Sequence, residues 1–224
     1  MYFEQTESRS KPVTLTSIFG WMALALLMTS AVAIGVYLLL GFGILPATMY
    51  YPLLIGSIVG YFIVFIVINY RVIKQNKSAV VPFFVYAAMM GVLLSSIMIS
   101  TSIEILVLAF GVSALLFGIM AGYGAVTKQN LHPMGSIAIM ALFGAVILVP
   151  ILWIWFNETL YWIVSFVMFG AIMLITAYDV WRMKQRLELG EVHQNTAIFF
   201  ALQLYVDFIN IFIRVVYFLS ASRR

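Results

Sequence analysis

The segment Thr196–Leu219 reads TAIFFALQLYVDFINIFIRVVYFL. Its length suits one bilayer crossing, which takes about 20 residues, yet it carries Gln203, Asp207, Asn210 and Arg214. Their spacings of 4, 3 and 4 put all four on one helical face. An aspartate at the centre of a membrane helix costs about 2.5–3.5 kcal/mol on insertion scales. A stripe of that kind should not face lipid. The segment is therefore expected to lie among other apolar helices, its polar face turned to a partner or a wet cavity.

The rest of the chain supplies those helices. Of 224 residues, 64% are apolar and 9% charged, against roughly 45–50% and about 25% in a soluble domain. Mean hydropathy is +1.09. Charges this sparse cannot clothe a soluble surface. The fold class expected is an all-α integral membrane protein, with a short cytoplasmic segment over residues 1–16 and one membrane domain over 17–224. There is no cysteine, which excludes a disulfide framework, a thiolate nucleophile and Cys-ligated metal. The net charge of +4 does not point to nucleic acid, because the basic residues sit in short clusters between apolar runs, where membrane orientation needs them.

Charge-free runs mark the spans. The first, from Pro12 to Tyr70, is too long for one crossing and is divided by GFGILPATMYYP, with Gly41, Gly43, Pro46 and Pro52. The spans predicted are Ser17–Leu40, Leu53–Tyr70, Val80–Ser100 with Pro82 in its first turn, Ile105–Thr127, Pro133–Phe156, Thr159–Val180 and Thr196–Leu219. Pro150 should kink the fifth. Gly56/Gly60 and Ala114/Gly118/Gly122 read as close helix-packing positions.

Orientation follows from Lys and Arg in the connections. Arg9, Lys11, Arg71, Lys74, Lys77, Lys128, Arg182, Lys184 and Arg186 fall at one end, nine residues against none in the three opposite loops. The N-terminus is thus expected to be cytoplasmic. A seventh full crossing would put Arg223 and Arg224 outside, so the last segment either crosses or enters and returns. The compact chain without an organelle signal fits a bacterial plasma membrane.

Asp179 is the expected partner of Asp207. They are 28 residues apart with His193 midway, inside the polar connection RMKQRLELGEVHQN, so antiparallel helices folded about it bring the two to similar depth. Two carboxylates within a few ångströms cannot easily both ionise, which makes such a pair proton-sensitive. The alternative open at this point is structural: Asp179 paired with Arg182 or Arg186 at a helix end, and Asp207 paired with Arg214. Glu104 and Glu158 read as loop-end charges. His132 and His193 lack metal-ligand spacing, so no resident cofactor is expected.

TAYDVWRMKQ (Thr176–Gln185) followed by ALQLYVDFINIFIRVVYFL (Ala201–Leu219) resembles the transmembrane Bax inhibitor-motif family, and LYVDFINIF is the more specific part. The opening IFGWMALALLMTSAVA and the seven-segment layout extend the likeness over most of the chain. The resemblance implies six helices around a central seventh. It also implies a pH-sensitive calcium leak gated by a shared proton between two aspartates, which match Asp179 and Asp207. An arginine near the end of helix 2 joins the family's closed state. Arg71 is the arginine nearby, although an ungapped comparison puts Lys74 or Gln75 closer to that place.

The function expected on these grounds is a calcium leak rather than catalysis. Asp179 and Asp207 gate it and hold calcium transiently through hard oxygen ligands, Gln203, Asn210 and Arg214 line the path, and Arg71 serves as latch partner. The other class is a regulatory protein binding membrane partners such as an AAA protease, with Met1–Ser17 as contact segment. An intramembrane aspartyl protease shares the Tyr178–Asp179 pair. It would need a Gly-x-Gly before its second aspartate, where this chain has Leu204-Tyr205-Val206.

Overall fold

A computed structural model describes residues 13–74, 78–155, 157–190 and 192–222. They form seven helices: α1 (Leu15–Gly41), α2 (Ala47–Lys74), α3 (Val80–Ser100), α4 (Ile103–Val126), α5 (His132–Ile154), α6 (Glu158–Glu188) and α7 (Gln194–Ala221). All seven are long and apolar enough to cross a membrane. The chain is an all-α membrane protein.

Local chemistry sets the ends. The Thr14 hydroxyl accepts from the Ser17 amide while the Ser17 hydroxyl reciprocates, a capping box that starts α1. Asn157 accepts from the Leu160 amide and starts α6. Gly43, in the α1–α2 turn, and Gly190, just past α6, take φ of +69° and +70°, a region that disfavours any residue with a Cβ.

Two boundaries differ most from the sequence expectation. α2 begins at Ala47, so the chain breaks over Gly41–Pro46 and Pro52 lies inside the helix. It falls early enough in α2 that its missing N–H removes a bond only at the edge of the ladder. α6 runs two turns beyond the expected Val180 to Glu188, because Trp181–Glu188 keep a helical pattern after the apolar run has stopped. The Lys184–Glu188 pair at 4.0 Å lies on that extension. α7 is unbroken from Gln194 to Ala221, about 42 Å at 1.5 Å per residue, so it crosses and does not return. α5 continues past Pro150 to Ile154.

α7 occupies the middle. In its most apolar stretch 61% of residues are buried, against 11% for α2. It packs on α1, α2, α3, α4 and α6, while α5 stands one layer out with α6 as its main neighbour. A hydroxyl cluster ties the first half of the bundle to the centre: Thr29 Oγ1 lies 2.7 Å from the Tyr205 hydroxyl and 3.0 Å from the Ala87 carbonyl. One hydroxyl thereby links α1, α3 and α7, and fully buried Tyr205 has its polar tip satisfied.

The small-residue rows need correction. Gly118 and Gly122, with exposed Ala114, lie on the outer face of α4 with open space beyond, and Gly56 is likewise open. Gly60 meets only the Met89 side chain. Close backbone approach occurs instead at Gly91, where a Cβ would sit 2.6 Å from the Thr29 carbonyl oxygen, and at Gly124 against the Ala177 backbone. Spacing of four finds a helical row but not the side it faces. The N-terminal segment up to residue 12, Gln75–Lys77 and Arg223–Arg224 lie outside the described residues, and with them the contact-segment expectation and part of the basic-loop set.

Candidate functional site

Asp179 belongs to the row Thr176, Asp179, Val180 and Met183, which recurs at helical spacing and is buried throughout. The neighbouring face of α6 holds Ala177, Tyr178 and Trp181. Ala177 and Trp181 pack with Leu131, the Tyr178 and Trp181 rings stack at 6.0 Å, and the Tyr178 hydroxyl lies 3.4 Å from His132 Nδ1. That aromatic anchor fixes the rotation of α6 and leaves Asp179 turned inward. Asp207 follows the same logic on α7, flanked by buried Tyr205, Phe208 and Ile209. Phe208 packs edge-on against Phe110 and Phe117 of α4.

Asp179 is 7% exposed and Asp207 8%. Measured along the helices, Asp179 sits about 14 Å from the end of α6 and Asp207 about 20 Å from the start of α7. Side chains lean toward the N-terminus of their own helix. α6 and α7 are antiparallel, so the two carboxyls lean toward each other across the gap in depth. Asp207 lies within electrostatic reach of both Asp179 and Arg182. Arg182 Nη2 is 3.2 Å from Asp179 Oδ1, and its guanidinium also lies over the Tyr178 ring, 5.5 Å from the centroid. Asp207 Oδ2 and Arg182 Nε are buried without a hydrogen-bond partner among the described residues. The site is therefore two buried carboxylates and one guanidinium. With both acids ionised it carries one excess negative charge, and one proton brings it to neutrality.

The other expected site residues are placed unequally. Gln203, one turn before Asp207, is half-buried with its Oε1 unpartnered. Asn210, one turn beyond, is exposed. The polar stripe is thus enclosed at one end only, because the helices around α7 do not close over the face that Asn210 occupies. Arg214 does not reach Asp207. Its Nη2 donates to Met168 Sδ at 3.1 Å, and it borders a cavity of about 460 Å³ between α5, α6 and α7. Arg71 donates to the Ser78 carbonyl at 2.7 Å, bracing the α2–α3 connection, and Lys74 lies over the Tyr70 ring.

In this conformation the cation beside Asp179 is Arg182. Its i,i+3 spacing was visible in the sequence, where it stood only as the structural alternative. The Thr29–Tyr205 link was not foreseen, since isolated hydroxyls in apolar runs give no signal until the helices are paired. No group of three or more His, Cys, Asp or Glu side chains suited to a metal ion occurs among the described residues.

Residues 12–224 match the family described as Inhibitor of apoptosis-promoting Bax1. The chain is 30% identical to the inner membrane protein YbhL of Escherichia coli K12 over 207 residues, covering 89% of this chain and 87% of that one. Uncharacterized proteins of Deinococcus radiodurans and Rickettsia prowazekii are 31% and 29% identical, covering 87% and 93% of this chain and 84% and 89% of theirs. A match that runs through all seven helices and includes both buried aspartates places the chain in the Bax inhibitor family of integral membrane proteins.

Proposed function

We propose that the protein is a proton-sensitive cation leak with calcium as the favoured permeant, set in a bacterial plasma membrane with its basic loops cytoplasmic. One observation carries the reading: two buried carboxylates on adjoining helices lie near a single guanidinium, which pairs with Asp179, and among the described residues one oxygen of Asp207 has no hydrogen-bond donor. Buried ionisable groups inside membrane helices mark ion paths and proton relays. Two carboxylates, with Gln203 alongside, offer the hard oxygen ligands calcium prefers, and a site without a full ligand shell avoids the tight binding that would stop conduction.

Gating follows from the charge count. When the cluster holds a proton, Asp179, Arg182 and Asp207 sum to zero and α6 and α7 can stay closed on each other. Loss of the proton leaves one negative charge in a low-dielectric gap. That charge is relieved by a cation or by separation of α7 from α6. The side chain of Arg182 is 30% exposed, so it can follow Asp179 or swing to water as the helices part.

The test is calcium flux into dye-loaded liposomes carrying the purified protein across about pH 5 to 8, with Asp179→Asn and Asp207→Asn alongside. Flux that varies with pH in the wild type and loses the variation in both variants supports the reading. Flux no greater than in empty liposomes at every pH overturns it, in favour of a regulatory protein that binds membrane partners.

A further inference from the structure

The cavity beside Arg214 is separate from the carboxylate pair, toward the end of the bundle opposite the basic loops. It is lined by Val149, Leu152, Tyr161, Val164, Ser165, Met168 and Arg214. By helix rise, Leu152 and Tyr161 lie about 3–5 Å from that end of their helices and Met168 about 15 Å. The cavity therefore runs from headgroup level into the bilayer, and Arg214 sits about 10 Å down on its α7 wall.

Arg214 is partly buried. Its guanidinium reaches Met168, whose thioether is its hydrogen-bond partner among the described residues and a weak acceptor for a group with five donors. The ion pairs among the described residues are Asp179–Arg182 and Lys184–Glu188, so among them no carboxylate pairs with Arg214. An intramembrane cation normally pairs or faces water. Here it meets an elongated cavity with apolar walls and the buried Ser165 at the level of Arg214.

We propose that this cavity binds the phosphate of an anionic lipid, with the oxyanion on Arg214 and the first part of the lipid tails along Val149, Leu152 and Val164. Guanidinium groups match phosphate bidentately, and the apolar walls favour an amphiphile over a free anion. The bound lipid would brace α5, which packs mainly on α6, against α7. The assignment does not depend on conduction, and its test does not read flux.

The test is native mass spectrometry of the protein released from nanodiscs of mixed phosphatidylglycerol and phosphatidylcholine, compared with Arg214→Gln and Arg214→Lys. The wild type should retain phosphatidylglycerol over phosphatidylcholine. Arg214→Gln should lose that retention about tenfold, and Arg214→Lys should keep most of it. Thermal unfolding in detergent, with phosphatidylglycerol or inorganic phosphate added, provides a second readout for any variant too unstable to eject intact. Equal phosphatidylglycerol retention or stabilisation in wild type and Arg214→Gln overturns the site. Equal retention of the two lipids by the wild type overturns its electrostatic basis, and equal stabilisation by inorganic phosphate overturns the lipid as ligand.

Discussion

Asp179 and Arg182 show how one contact changes the reading of a residue. Breaking a fully buried ion pair from one side costs about 3–5 kcal/mol, because the remaining charge is left without compensation. Arg182 keeps 30% of its side chain exposed, so solvent relieves part of that loss. Arg182→Gln is expected to destabilise the protein by about 1–3 kcal/mol and to shift the pH profile of flux. Arg71→Gln, which removes a hydrogen bond to the Ser78 carbonyl, should cost about 1 kcal/mol and leave the profile in place. Unfolding and flux measurements on the two variants check this, and an unchanged profile in Arg182→Gln would show that its pairing with Asp179 takes no part in gating. Adding Asp179→Asn to Arg182→Gln should recover part of the lost stability, as a double-mutant cycle requires of coupled partners.

At the level of helices, the crossings are fixed where backbones touch. A Cβ on Gly124 would collide with the Ala177 backbone of α6, and backbone, unlike a flexible side chain, cannot step aside. Gly124→Ala is expected to destabilise by about 1–3 kcal/mol through overpacking. Gly118→Ala points into open space and should be neutral or slightly stabilising, since alanine favours helix by about 1 kcal/mol. Comparing the two unfolding midpoints in one detergent tests which face of α4 meets α6. A loss of stability at Gly118 equal to that at Gly124 would contradict the packing described. The Thr29–Tyr205 bond acts at the same level, since it holds α1 to the helix that carries Asp207, two residues along from Tyr205.

For the whole molecule, seven helices put the start of α1 and the end of α7 on opposite faces of the bundle. With the basic loops inside, a C-terminal alkaline phosphatase fusion should be active and a C-terminal fluorescent protein should stay dark. The reverse result would mean an inverted protein and would place Arg214 and its cavity at the inner leaflet. The open sector of α7 at Asn210, the Arg214 cavity beyond it and the carboxylate pair follow one another along the central helix, so events at either end bear on the same rod.

That the chain is a membrane protein of seven helices was legible from residue order alone, because apolar length and sparse charge are local quantities. Span 3 was legible to the residue, and the enclosure of α7 followed from the cost of Asp207 in lipid. The approach of Asp179 and Asp207 was legible only in part: the short connection between antiparallel helices brings them to within about 6 Å in depth, and the lean of the side chains narrows the rest. Helix packing sets the rest: Asp179 pairs with Arg182 rather than facing Arg71, Arg214 meets Met168 and a cavity, and Asn210 lies exposed. It also decides which glycines are crossings. Those outcomes depend on the rotation of each helix about its axis, which bilayer insertion leaves free and which close packing of irregular side chains fixes.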